Sequence, residues 1–121
     1  MENPVQWLEI ATTDFERAKD FYAAVFELQF QLIEMPDSKM YMFGEPGKSG
    51  SAGCLIASEQ SKPSSDGTLV YFECEDVAVQ AGRVEGAGGK VIVPKTDIGE
   101  FGFFAHFIDS EGNRIGLHSN S

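Results

Sequence analysis

Basic side chains are scarce in this chain. Nine Lys and Arg stand against nineteen Asp and Glu, a formal charge of -10 at pH 7, and a field of that sign repels phosphate backbones and anionic bilayer surfaces. Neither nucleic acid nor a membrane is therefore expected as a partner. A cationic or neutral small molecule is compatible with the charge, although in most soluble proteins an acidic excess serves only solubility. Long apolar runs are also missing, none approaching the roughly 20 residues that cross a bilayer. The opening residues MENPVQWLEI lack the basic start and apolar run of a secretory signal, so a cytoplasmic location is expected. Cysteine is limited to Cys54 and Cys74. Both fall in strand-like runs without C-x-x-C spacing, which predicts buried, reduced thiols. No nucleophile elbow, Ser-His-Asp pattern or phosphate-cradling loop is present; GEPGKSG, residues 44–50, has Gly and Lys but not the spacing of a phosphate loop.

What is present suffices for one well-buried domain and is too short for two ordinary ones: 121 residues, 42% of them hydrophobic. Leu8, Ile10 and Thr12 alternate with Trp7, Glu9 and Ala11 as in a strand with one buried face. Thr13-Asp14-Phe15-Glu16 has the form of a capping box, and Phe15, Ala18, Phe21 or Tyr22, Val25 and Phe26 then lay one apolar stripe along a helix. Strands are expected over Gln29 to Glu34, Lys39 to Phe43 and Ser51 to Ser58. A polar linker at 59–66 separates this module, 1–58, from a second at 67–121. There the order recurs. A strand alternates Val70, Phe72 and Cys74 with Leu69, Tyr71 and Glu73; Asp76 caps a helix carrying Val77, Ala81 and Val84; Gly88-Gly89 ends it. Strands over Lys90 to Val93, Phe101 to Ile108 and Arg114 to His118 complete a second β-α-β-β-β unit. Asp14 and Asp76 are separated by 76 − 14 = 62 positions, and the same offset carries Leu8, Ile10, Phe15 and Leu55 onto Val70, Phe72, Val77 and Leu117. Such a constant offset points to an internal repeat.

The strand-to-helix stretch EIATTDFERAKDFYAAVF, the segment GGKVIVPKTDIGEFGFFAHFIDSEGNRIGL and the paired β-α-β-β-β order resemble the vicinal oxygen chelate superfamily, the glyoxalase, bleomycin-resistance and extradiol-dioxygenase group. The resemblance covers nearly the whole chain. One departure is Glu27, where relatives commonly have Gly after the helix, which affects a turn more than chemistry. The implied fold is α+β: two βαβββ modules form an open curled barrel with helices outside, its interior holding the substrate. Ile115 and Leu117 would then pack toward a helix, leaving Arg114, Gly116 and His118 to the cavity. His106 cannot be placed, because both faces of its strand are apolar.

In the enzymes of this family a divalent metal is held by side chains of the first and last strands. The implied ligand positions fall here on Trp7, Cys54, Leu69 and Gly116. No carboxylate or imidazole stands at any of them, so no metal and no other cofactor is expected. Displaced donors Glu9, Glu73 and His118 keep a divalent metal open as the alternative. The ligand-binding cleft is expected to be lined by Trp7, Glu9, Tyr71, Glu73, Arg114 and His118, aromatic walls with a few orienting polar groups. The leading reading is a metal-independent small-molecule binding protein. Its alternatives are a glyoxalase-like metal-dependent lyase or isomerase, and a regulatory or interaction module whose cavity is filled by its own side chains. The resemblance also implies a homodimer, with the cleft completed across the interface or by pairing of the two modules.

Overall fold

A computed structural model describes residues 3–121. Strand β1 (Trp7–Ala11) leads into helix α1 (Phe15–Phe26), followed by β2 (Gln31–Met35), β3 (Ser38–Phe43) and β4 (Ala52–Ser58). The second half repeats this with β5 (Val70–Glu73), α2 (Val77–Ala87), β6 (Lys90–Asp97), β7 (Phe103–Ile108) and β8 (Arg114–Ser119). Two four-stranded mixed sheets result, ordered β1-β4-β3-β2 and β5-β8-β7-β6, and neither closes into a barrel. In each, the first strand runs parallel to the last and the other pairings are antiparallel.

Helix α2 begins at the anticipated Asp76, whereas α1 is capped by Asp14, one residue past the expected Thr13. Asp14 is extended and accepts from the Arg17 N–H, and Asp76 does the same for Ala78. The capping box itself does not form. Glu16 instead accepts the Tyr41 hydroxyl at 2.7 Å, and the free N–H groups of Thr13 and Asp14 go to Glu111 Oε1 at 2.8 and 2.6 Å. A carboxylate 97 residues away from Asp14 in sequence thus takes the capping duty. Helix α1 ends on Glu27 at φ 56°, the left-handed geometry that favours glycine.

Three strand ends depart from expectation by two residues or more. Strand β2 starts at Gln31 and not Gln29. Strand β6 runs on to Asp97, past Pro94, which an edge strand with register shifts tolerates. The start of β7 moves to Phe103 because Gly99–Phe101 forms a 3-10 turn closed by Gly102 at φ 98°. Residues 59–66 carry no helix or strand.

One core joins the halves. Phe21, Tyr22 and Val25 of α1 are sealed from solvent together with Leu55 of β4, Val77 and Val84 of α2, Phe107 of β7 and Leu117 of β8. Phe26 stacks on Phe72 at 4.2 Å, and Phe43 lies 6.0 Å from the same ring. Each large side chain so buried contributes about 2 to 3 kcal/mol. Because the helix-bearing faces of both sheets meet in this core, the opposite face of each sheet points outward. No helix among the described residues is long and apolar enough to cross a membrane.

Candidate functional site

The last strand fixes which side chains reach the open faces. In β8, Ile115 and Leu117 are buried against the helix side, so Arg114, Gly116 and His118 take the other face, as alternation predicts. Tyr71 and Glu73 of β5 share that face through the register Tyr71↔Gly116 and Glu73↔His118. Trp7 and Glu9 occupy the corresponding face of the first sheet, where the Trp7 indole N–H donates to Glu9 Oε2 at 3.2 Å. Trp7 packs there on a small cluster of Met40, Cys54 and Ile56. Of the six residues expected to line one cleft, four are therefore gathered on the second sheet and two on the first.

The open face of the second sheet carries a depression of about 530 Å³ lined by Tyr71, Glu73, Ile98, Phe104 and His118. His106, whose face the sequence left open, belongs here. It stands opposite Gly116 in the β7–β8 register, its Nε2 2.7 Å from the Tyr71 hydroxyl. Arg114 approaches the other ring nitrogen, Nδ1, with Nε at 3.3 Å and a terminal guanidinium nitrogen at 3.0 Å. Burial, and then the Arg114 charge, push the His106 pKa down. His118 has the opposite surroundings. Its Nδ1 is 3.0 Å from Glu73 and its Nε2 2.6 Å from the Phe101 carbonyl, so both ring nitrogens face acceptors. Glu73 first, and the Phe101 carbonyl second, raise its pKa.

The four family ligand positions present an indole, a thiol, an isobutyl group and a hydrogen atom. Cys54 is sealed from solvent, and burial followed by the nearby Glu9 charge pushes its thiol up to about 12. At Gly116 a Cβ would sit 2.5 Å from Tyr71 ring carbons, so that ring already fills the space where a ligand side chain would project. These residues do not fit a divalent ion, which takes carboxylate, imidazole or thiolate donors. Among the described residues no group of three or more His, Cys, Asp or Glu converges on a point.

Another depression, of about 1070 Å³, lies beside the start of α1. Three of the polar groups on its wall serve the fold: Asp14 caps the helix, Glu16 holds Tyr41 and Arg17 holds Glu111. Both histidines of the chain, by contrast, lie on the second sheet.

A network that sequence reasoning passed over holds the halves together. Asp109 Oδ1 accepts the Glu111 and Asn113 N–H groups at 2.8 and 2.9 Å, while Oδ2 accepts the buried Tyr22 hydroxyl at 2.6 Å. Asn113 donates to the Ala11 carbonyl at 2.8 Å and accepts from Ser64 N–H at 3.0 Å. Glu111 takes Thr13, Asp14, Ser110 and a two-pronged Arg17. The DSEGN stretch is thus the joint between the β7–β8 turn, α1 and the linker. Its polar density in a five-residue turn was the available signal.

The family description Glyoxalase/Bleomycin resistance protein/Dioxygenase superfamily matches residues 5–117. The chain is 30% identical over 106 residues to CFP32 of Mycobacterium tuberculosis, a match covering 88% of this chain but only 40% of that protein. A glyoxylase-like domain-containing protein of Didymella fabae is 30% identical over 117 residues, covering 93% of this chain and 91% of the other. TnmS3, an antibiotic binding protein from Streptomyces sp. CB03234, superposes with a TM-score of 0.73 at 25% identity over 98% of this chain and 97% of its own. The repeated βαβββ modules, the DSEGNRIGL ending and the match over 5–117 agree: the chain belongs to the glyoxalase/bleomycin resistance protein/dioxygenase superfamily.

Proposed function

We propose that this protein is a metal-independent small-molecule binding protein, acting in the cytoplasm as a homodimer. The observation that carries the reading is the open face of the second sheet. There, apolar walls from Tyr71, Phe104 and Ile98 surround a depression of ligand size, with Glu73 and His118 at its rim. The donor-poor family positions at Trp7, Cys54, Leu69 and Gly116 support independence from metal. The likeness to an antibiotic binding protein along nearly the full length of both chains supports an organic ligand.

The disposition of the sheets supports the dimer. Trp7 and Glu9 lie on one outward face and Tyr71, Glu73, Arg114 and His118 on the other, so one chain does not wrap them around a common ligand. A second copy laying its first sheet over this second sheet reunites all six. By symmetry it does so twice, as an isologous pair. The same contact covers the exposed apolar surface of Met35, Tyr71 and Ile98. Sedimentation equilibrium at micromolar concentration is expected to give twice the chain mass; a monomer mass would overturn this assembly.

Metal content decides the remaining question. The lyase alternative would draw on Glu73 and His118, whose carboxylate and imidazole are in contact. Protein purified without chelator is expected to hold no stoichiometric metal. Titration with zinc, nickel, manganese or iron(II) is expected to leave Trp7 fluorescence unchanged. Stoichiometric metal that is lost in Glu73→Gln or His118→Ala would replace the binding reading with the enzymatic one.

A further inference from the structure

We infer that Tyr71 is the hydrogen-bond donor of the cleft on the second sheet, and that the ligand it takes is an uncharged, flat aromatic molecule carrying a carbonyl-type oxygen. This rests on the cleft reading above and adds the chemistry of the occupant.

Three residues stand in one cross-strand row: Tyr71 of β5, Gly116 of β8 and His106 of β7. The middle one has no side chain. The Tyr71 ring therefore lies down across β8, its carbons where a Cβ of residue 116 would be, and reaches His106 two strands away. Any side chain at position 116 would close that path.

The proton positions in this row follow from what each group can do. An arginine side chain only donates. Both close approaches of Arg114 end on His106 Nδ1, so Nδ1 is an acceptor carrying no proton. A neutral imidazole then holds its proton on Nε2, and that proton points at the Tyr71 oxygen 2.7 Å away. The phenol accepts it. Its own hydroxyl proton is left over, and among the described residues no acceptor takes it. The depressed pKa of His106 keeps the ring in this neutral form through neutral pH. The chain runs from the Arg114 cation through the imidazole to the phenol, each bond polarising the next, so the outward hydroxyl is a strengthened donor.

What that donor meets is set by its neighbours. The Tyr71 ring is half exposed, with Phe104 and Ile98 completing an apolar wall. Phe104 and His106 pack edge to face at 5.1 Å, Tyr71 and His106 at 5.4 Å. A flat apolar body fits such a wall. An anion would face the Glu73 carboxylate and a chain of charge -10. An uncharged oxygen acceptor satisfies the hydroxyl without that cost.

The test uses 9-fluorenone and fluorene, the same rings with and without a carbonyl, titrated against the full chain by NMR. Long-range nitrogen–proton spectra read the His106 tautomer on the same samples. Wild type is expected to bind the ketone about fivefold more tightly than the hydrocarbon, the ratio given by one neutral hydrogen bond of about 1 kcal/mol. Tyr71→Phe is expected to bind both equally, at the affinity of fluorene for wild type, with the proton of His106 on Nε2 in wild type. Equal binding by wild type, a preference that survives Tyr71→Phe, or a proton on Nδ1 would overturn the role of Tyr71 and leave the cleft standing. Failure of both compounds to bind, with the tautomer as stated, would instead overturn the cleft itself and the ligand class with it.

Discussion

Replacing Glu111 with Gln removes one charge at nearly constant shape from the joint between the two halves. The Glu111 side chain has no exposure to solvent. Burial alone opposes its ionisation. The Arg17 hydrogen bond, the Asp14 N–H, the Ser110 hydroxyl and the Thr13 N–H outweigh it and hold the carboxyl at about 2 against a usual 4.5. A difference of about 2.5 units corresponds to about 3 kcal/mol of stability. Because the folded pKa is the lower one, this contribution is complete above about pH 4.5 and is lost as pH falls toward 2. In Glu111→Gln the amide oxygen still accepts from Thr13 and Asp14. The amide nitrogen, however, confronts the Arg17 donors, which have no means of accepting. Urea unfolding followed from pH 7 to pH 2.5 is expected to place the variant about 3 kcal/mol below wild type at pH 6, with the gap shrinking through pH 4 and 3. A gap under 0.5 kcal/mol at pH 6, or one that does not change with pH, would refute the reasoning.

Gly116→Ala places a methyl 2.5 Å from the Tyr71 ring; the half-exposed ring is expected to swing outward at a cost of about 1 kcal/mol. Uncovering His106 should move its pKa up toward the usual histidine value, which proton NMR titration reads directly. Glu73→Gln removes the largest cause of the raised His118 pKa, so His118 is expected to titrate at lower pH in the variant, while an unchanged titration would show that the Phe101 carbonyl alone sets it. Glu27→Gly relieves a left-handed non-glycine residue at the end of α1 and forgoes only a long, exposed pair with Arg83 at 3.7 Å. Thermal unfolding is expected to show a gain of about 1 kcal/mol, and a loss would mean that the pair with Arg83 outweighs the backbone relief.

Elements with their own local chemistry were legible in the sequence. Trp7 to Ala11 declares its strand by alternation, the Thr13–Glu16 stretch marks the start of α1 to within one residue, and Asp76 caps α2 as read. The offset of 62 holds from Asp14 and Asp76 to Leu55 and Leu117, the latter pair both fully buried. It fails in the middle because the second half inserts the Gly99–Phe101 turn, which delays β7. Features depending on distant partners were not legible. Glu16 looked like half of a capping box, yet Glu111 supplies that bond from the other module. His106 could not be assigned to a face because Phe103 to Ile108 is apolar on both, and only the pairing with Gly116 places it. Six cleft residues were read from parity together with the family resemblance. Parity puts each on an open face but not on the same one, and the division between two sheets follows from the helix sides sharing a core.

The most direct measurement is a titration of 9-fluorenone into metal-stripped protein in the presence of EDTA, followed by NMR of the Tyr71 and Phe104 rings, with stoichiometry taken from equilibrium dialysis. Saturable binding of one molecule per chain is expected, unaltered by EDTA or by added divalent metal. Absence of saturable binding, or binding that vanishes with EDTA and returns with metal, would contradict metal-independent binding.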